Sequence, residues 1–294
     1  MKKADFRLLL SVFCGILSLV AANCHGIEKK SGGQHRPAGE GTRMSAQAEL
    51  ARLLEEGDFR AVEVAGAMGD AAVPALRKGA TMAGYRSRQV AMACAGKVGG
   101  DAAGEILALG LKDGNVNVRV AAAGQLSVNP PESAKNAVLS TLVRSTETDV
   151  REMLAFSAGY FPGERTVAIL RSIASGEEVL ASNARMALAR LGDPAGRDAV
   201  LSDLSSSDPL VRYETVGGLR YVNDPSLAVR VKPLLLDTEN AQAIGPGGWS
   251  KYRRVCDQAV DTLVYLLKLT LPFPTGEETI YTGEQLLHVR DLTR

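Results

Sequence analysis

Reactive side chains are few in this chain of 294 residues, and their spacing decides what chemistry is open to it. Three histidines occur, His25 and His35 near the start and His288 near the end. None has a His or Cys neighbour at the spacing of a metal site. Of the four cysteines, Cys14 and Cys24 stand near the start. Cys94 and Cys256 lie in distant apolar stretches, where they read as small buried hydrophobes outside any disulfide framework. No Gly-x-Ser-x-Gly, His-Glu-x-x-His or Walker loop appears, and the GPGG at 245–248 lacks the following Lys-Ser/Thr of a phosphate cradle. The residues therefore predict no enzyme: no catalytic, cofactor-binding or metal site. What remains is the chemistry of recognition. Trp249, the one tryptophan, stands with Tyr252, Arg253 and Arg254 in a stretch that interrupts the pattern around it. Aromatic and Arg side chains are enriched at binding hot spots, and loops that break a regular array often carry function. These four are the candidate partner-binding residues. A second reading, in which Trp249 only folds over the end of the core, stays open.

The pattern they interrupt is a repeat. Leu76, Leu107, Val138, Ile169, Val200 and Val231 recur at a step of 31 residues, and four positions later so do Ala80, Leu111, Leu142, Ile173, Leu204 and Leu235. Apolar residues at i and i+4 share a helix face, and self-similarity at a fixed period marks a solenoid. A companion helix opens at Val118-Arg119, Val150-Arg151, Leu180-Ala181 and Val211-Arg212. Eight residues on it carries Leu126, Ala158, Leu188 and Leu219. The third unit has one extra residue, which the fourth absorbs. Asp193-Pro194 and Asp224-Pro225 punctuate the helix ends: Asp caps the new helix and Pro suits its first turn.

The Val-Arg pairs at 118–119, 150–151 and 211–212, the Ala and Leu positions downstream and the Asp-Pro turns resemble the HEAT-like repeats, in particular the short units also found in the phycobilin-lyase group. The likeness runs over about residues 57–268. It implies a right-handed, all-α solenoid of antiparallel helix pairs, in which Arg119, Arg151 and Arg212 pair with acids of the same or an adjacent turn, here Asp113, Asp149 and Asp208, as structural rungs worth about 0–1 kcal/mol each. For function it implies a protein-binding scaffold, or a bilin-lyase-type enzyme. Bilin attachment is cytoplasmic, which an export signal would oppose.

That signal is read at the start of the chain. Lys2 and Lys3 precede an apolar run from Leu8 to Val20, and Val20-Ala21-Ala22 offers a cleavage site. Cys24 leaves two products open: a soluble periplasmic protein cleaved after Ala22, or a lipoprotein cleaved after Asn23 and acylated on Cys24, its one route to a membrane. Residues 23–43 read as a flexible Gly-rich tether, 44–271 as the repeat array with an inserted loop at 238–251, and 272–294 as a small appendage. The formal net charge is +1; loss of Lys2, Lys3, Arg7 and Asp5 with the signal takes it to about −1, unlike the basic face nucleic acid requires. The expected role is an exported monomer that binds another protein in the bacterial envelope. An immunity or chaperone-type inhibitor of an exported protein is the alternative.

Overall fold

The computed structural model describes residues 45–176, 179–244 and 251–293. The leader, the tether, Cys24 and Trp249 lie outside the described residues. Contacts divide the chain into two units, one ending at Gln125 and one beginning at Leu126. Each is built of antiparallel helix pairs stacked side by side, an all-α solenoid architecture.

The first unit opens on α1 (Ala46–Glu56). Ser45 accepts from the Ala48 amide and caps it, and Leu50, Leu53 and Leu54 form its buried stripe. Then come α2 (Ala61–Met68), α3 (Val73–Gly79), α4 (Tyr85–Val98), α5 (Gly100–Gly110) and α6 (Val116–Leu126), the last ending at the boundary. Small residues let these helices approach. Ala91, Ala95 and Cys94 on α4 are buried, and a Cβ on Gly110 would lie 2.2 Å from the Met92 sulfur. Burial pushes the Cys94 thiol up to about 12.

The second unit contains α7 (Lys135–Arg144), α8 (Thr148–Ala158), α9 (Glu164–Ala174), α10 (Val179–Arg190), α11 (Pro194–Asp203), α12 (Pro209–Val222) and the short α13 (Ala228–Val231). The Asp-Pro turns at 193 and 224 cap as expected, and Asp208 caps as well. Asp193 accepts from the Gly196 amide, Asp208 from Leu210 and Asp224 from Ser226. Hydrogen bonds spaced 31 residues apart make the repeat physical: Ser157 Oγ donates to the Leu126 carbonyl at 2.7 Å, and Asn183 Nδ2 to the Glu152 carbonyl at 3.2 Å.

In the second apolar column Leu111, Leu142, Leu204 and Leu235 are buried while Ala80 and Ile173 are only half-buried; the first column is buried with one displacement. Leu76, Leu107, Val138, Val200 and Val231 are core residues, but in α9 it is Leu170 that is fully buried, while Ile169 is half-exposed. Leu170 stands 32 residues after Val138, and Val200 30 after Leu170. The extra residue of the third unit is thus carried into α9 and absorbed one helix later than the columns imply.

The arginine rungs also differ from expectation. Arg212 pairs with Asp237 at 2.7 Å and Glu239 at 3.1 Å, in the following segment, because Asp208 is occupied as a helix cap. Arg151 donates to the Leu142 carbonyl rather than to Asp149. The common task is to clamp the preceding loop: Arg88 donates to the Met82 carbonyl, Arg119 to that of Asp113 and Arg212 to that of Ser206.

Two further corrections concern the carboxyl end. The stretch read as a loop at 238–251 is entered by β1 (Asn240–Ile244) and left by β2 (Lys251–Arg254), an antiparallel pair with an irregularity between Asn240 and Gln242. It leads into α14 (Val255–Leu267), which ends at Lys268 in the left-handed region (φ 53°), ahead of the prolines at 272 and 274. The segment read as an appendage is part of the core. Tyr281, and Val289 on α15 (Gly283–Leu292), are buried in the same cluster as Val260 and Leu263.

Candidate functional site

Of the four residues nominated from sequence, three are described, and they do not form one exposed patch. Tyr252 is 43% exposed on β2. Arg253, the next residue on the strand, points the opposite way, as alternation requires, and is fully buried. Burial removes it from any surface that a partner could read. Its Nη2 donates to Asp261 Oδ2 at 2.7 Å and its Nη1 to the Glu277 carbonyl at 2.9 Å. Tyr281 closes the set by donating to Asp261 Oδ1 at 2.5 Å. Burial raises Asp261 above the usual carboxylate range, against the pull of Arg253. Arg254 is likewise committed. It holds the buried Asp257 at 2.7 Å and donates to the Tyr281 carbonyl at 2.7 Å. These arginines weld β2, the start of α14 and residues 277–281 together. They support the fold and do not offer themselves to a ligand.

The recognition chemistry lies elsewhere in the second unit, on the layer made by the neighbouring helices α8, α10 and α12. Residues spaced by about one or two turns share a helix face. Glu152, Phe156 and Tyr160 follow this spacing along α8 and the turn after it. Asn183 and Arg190 follow it on α10, and Glu214 and Tyr221 on α12. Adjacent helices therefore carry an amide-and-acid row, Glu152, Asn183 and Glu214, and beyond it an aromatic row with Arg190 at its centre.

The aromatic row is a connected cluster. The Arg190 guanidinium lies 4.0 Å from the Tyr160 ring centroid and 5.0 Å from that of Tyr221, and it donates to the Tyr221 carbonyl. Tyr221 meets Phe156 edge-on at 5.0 Å and Tyr160 at 5.7 Å. Its hydroxyl donates to the Phe156 carbonyl at 2.6 Å. Only glycine fits at 159, where a Cβ would lie 1.9 Å from that hydroxyl oxygen. Burial raises Tyr221 well above the ordinary phenol range. Tyr160, Phe156 and Arg190 are half-exposed. A step of 31 residues links Arg190 to Tyr221 and Tyr221 to Tyr252. That periodicity is a usable signal, but the residue types along it differ, so a search for apolar columns passes over it.

In the other row, burial, with the Asp208 charge second, raises Glu214 to about 7. A carboxyl raised on folding gives stability that is complete below its ordinary value near 4.5 and is lost as pH rises through about 7. Each tenfold change in proton affinity is worth roughly 1.4 kcal/mol. Glu214→Gln should therefore gain up to about 3 kcal/mol over the natural chain at pH 8 and little at pH 4. Urea midpoints at both values check this; parallel profiles would show that Glu214 is solvated like an ordinary acid.

Among the described residues neither cysteine resembles an activated nucleophile. Burial pushes the Cys256 thiol up to about 11, as it does Cys94, and thiols so raised are inert. Among the described residues no group of His, Cys, Asp and Glu could hold a metal ion, and no helix is long and apolar enough to cross a membrane.

Comparison with known proteins finds likeness of fold alone. No protein-family model matches the chain, and no curated protein matches its sequence. Among solved structures, the complex of CpcE and CpcF of phycocyanin lyase from Nostoc sp. PCC7120 aligns with a TM-score of 0.53 at 17% identity, over 90% of this chain and 98% of that one. An engineered protein aligns at 0.40 with 18% identity, over 76% of this chain and 68% of its own. The first of these agrees with the helical-repeat fold implied by the HEAT-like spacing.

Proposed function

We propose that this chain is an exported helical-repeat protein that binds another protein in the bacterial envelope. The observation that carries the binding part is the Arg190 cluster. Tyr and Arg, the residue types that dominate protein interfaces, are held there by neighbouring helices with their outer edges half-exposed. A cluster fixed before binding loses little conformational entropy when a partner arrives. The two inert thiols and the scarcity of reactive groups favour binding over catalysis. The Nostoc structure is described as a complex of two proteins, which supports the reading in kind. Inhibition or chaperoning of an exported protein is the special case in which the partner's own activity is blocked.

Export rests on Lys2, Lys3 and the apolar run to Val20. Affinity capture from the envelope fraction, read by mass spectrometry, tests both parts. The expected result is a protein partner in fixed proportion to a bait that has lost its first 22 or 23 residues. Recovery of a coloured, covalently attached small molecule would favour the lyase alternative, for which the same Nostoc protein is the precedent. A cytosolic bait with Met1 intact would overturn export.

A further inference from the structure

We propose that Arg190 is a reader of carboxylates and that its ligand is an acidic segment of the partner polypeptide, an inference that rests on the protein-binding reading. Several arginines of the second unit are spent on the chain's own acids: Arg212 on Asp237 and Glu239, Arg253 on Asp261, Arg254 on Asp257. Arg190 is not. Among the described residues it makes one hydrogen bond, from Nη1 to the Tyr221 carbonyl, and its centre lies close to the Tyr160 and Tyr221 rings.

A guanidinium has five N–H donors, all in its plane. The nearer ring, Tyr160 at 4.0 Å, covers a face of that plane and not the edges that carry the donors. With Nη1 turned to Tyr221, the Nε–Nη2 edge remains, and that edge is the fork that accepts a carboxylate through two parallel hydrogen bonds. The Tyr160 hydroxyl, which has no hydrogen-bond partner among the described residues, adds a neutral donor to the cluster. The rings fix the guanidinium and exclude water from one side, so the charge is partly desolvated before any ligand arrives and the fork is pre-organised.

The charge count favours a carboxylate over a phosphate. Phosphate carries close to two negative charges and is usually met by several cations. The other arginines of α10 and α12 are turned to different tasks. Arg185 serves the carbonyls of Ala174 and Gly176, and Arg220 the Gly217 carbonyl and Glu277. One guanidinium therefore stands ready for one carboxylate. The half-exposed edges of Phe156 and Tyr160 supply an apolar shoulder, which suits an acidic residue flanked by apolar ones.

The test uses the full chain and a short fluorescein-labelled peptide alternating leucine and glutamate, with the glutamine version as control, read by fluorescence anisotropy. The natural chain should bind the acidic peptide in preference to the control. Arg190→Gln should weaken that binding about tenfold or more, as loss of a charge-assisted fork implies. Arg190→Lys, which keeps the charge and loses the fork, should weaken it too. Circular dichroism and the urea midpoint of each variant establish that it is folded. Equal binding of the two peptides, no binding of the acidic one, or full affinity in Arg190→Lys would overturn the proposal, as would displacement by inorganic phosphate but not by acetate. If affinity capture still recovers a partner with Arg190→Gln as bait, protein binding stands and the assignment to Arg190 fails. If the natural chain recovers none, the reading beneath it fails.

Discussion

Arg253→Met should destabilise the second unit by about 3–5 kcal/mol, the usual cost of removing one partner from a buried ion pair. Asp261 would be left charged, at 7% side-chain exposure, with only the Tyr281 hydroxyl to satisfy it. The Glu277 carbonyl would lose its donor as well. The deficit should shrink in acid, because a carboxyl already raised by burial rises further once its cation is gone and then protonates at modest acidity. Adding Asp261→Asn to Arg253→Met should recover part of the loss at neutral pH by removing the uncompensated charge. Urea midpoints for the single and double variants, with hydrogen exchange over residues 277–281, measure this. An unchanged midpoint in Arg253→Met would mean that the pair contributes nothing and that hydrophobic contacts alone hold Tyr281 in place.

The second large effect separates two adjacent residues. Leu170→Ala should cost about 2–5 kcal/mol, since it removes a fully buried side chain from a packed layer. Ile169→Ala should cost about 1 kcal/mol, typical of a half-exposed position. Leu107→Ala, 3% exposed in the first unit, belongs with Leu170. Should Ile169→Ala prove as costly as Leu170→Ala, the packing of α9 follows the strict 31-residue columns and the displacement is absent.

This pair of leucine and isoleucine marks how far the fold is legible in the sequence. Most of the column positions and the Asp caps at 193 and 224 are local or periodic signals, and they survive because caps and helix faces depend on near neighbours. The displacement in α9 does not show, because Ile169 and Leu170 are both apolar and either register fills a core. Tyr252 and Arg253 look alike as hot-spot residues, yet strand alternation exposes one and buries the other. That alternation is hidden because a short polar stretch around GPGG reads as a loop. The partner of Arg212 escapes for another reason: Asp208 is near in sequence but already engaged with the Leu210 amide, while Asp237 is distant in sequence and adjacent in space. The Arg190 cluster needs three helices side by side before its residues meet, and no single segment announces it.

The two buried cysteines have a practical consequence. One sits in each unit, Cys94 in the first and Cys256 in the second, and neither thiol ionises readily while its helix is closed. Alkylation requires a thiolate that reagent can reach, so each sulfur is silent until its own surroundings open. In a chain lacking its first 24 residues these are the remaining thiols. Nature has thereby installed a separate tamper seal on each half of the molecule. The order in which the seals break under rising denaturant would tell whether the halves open together or one at a time.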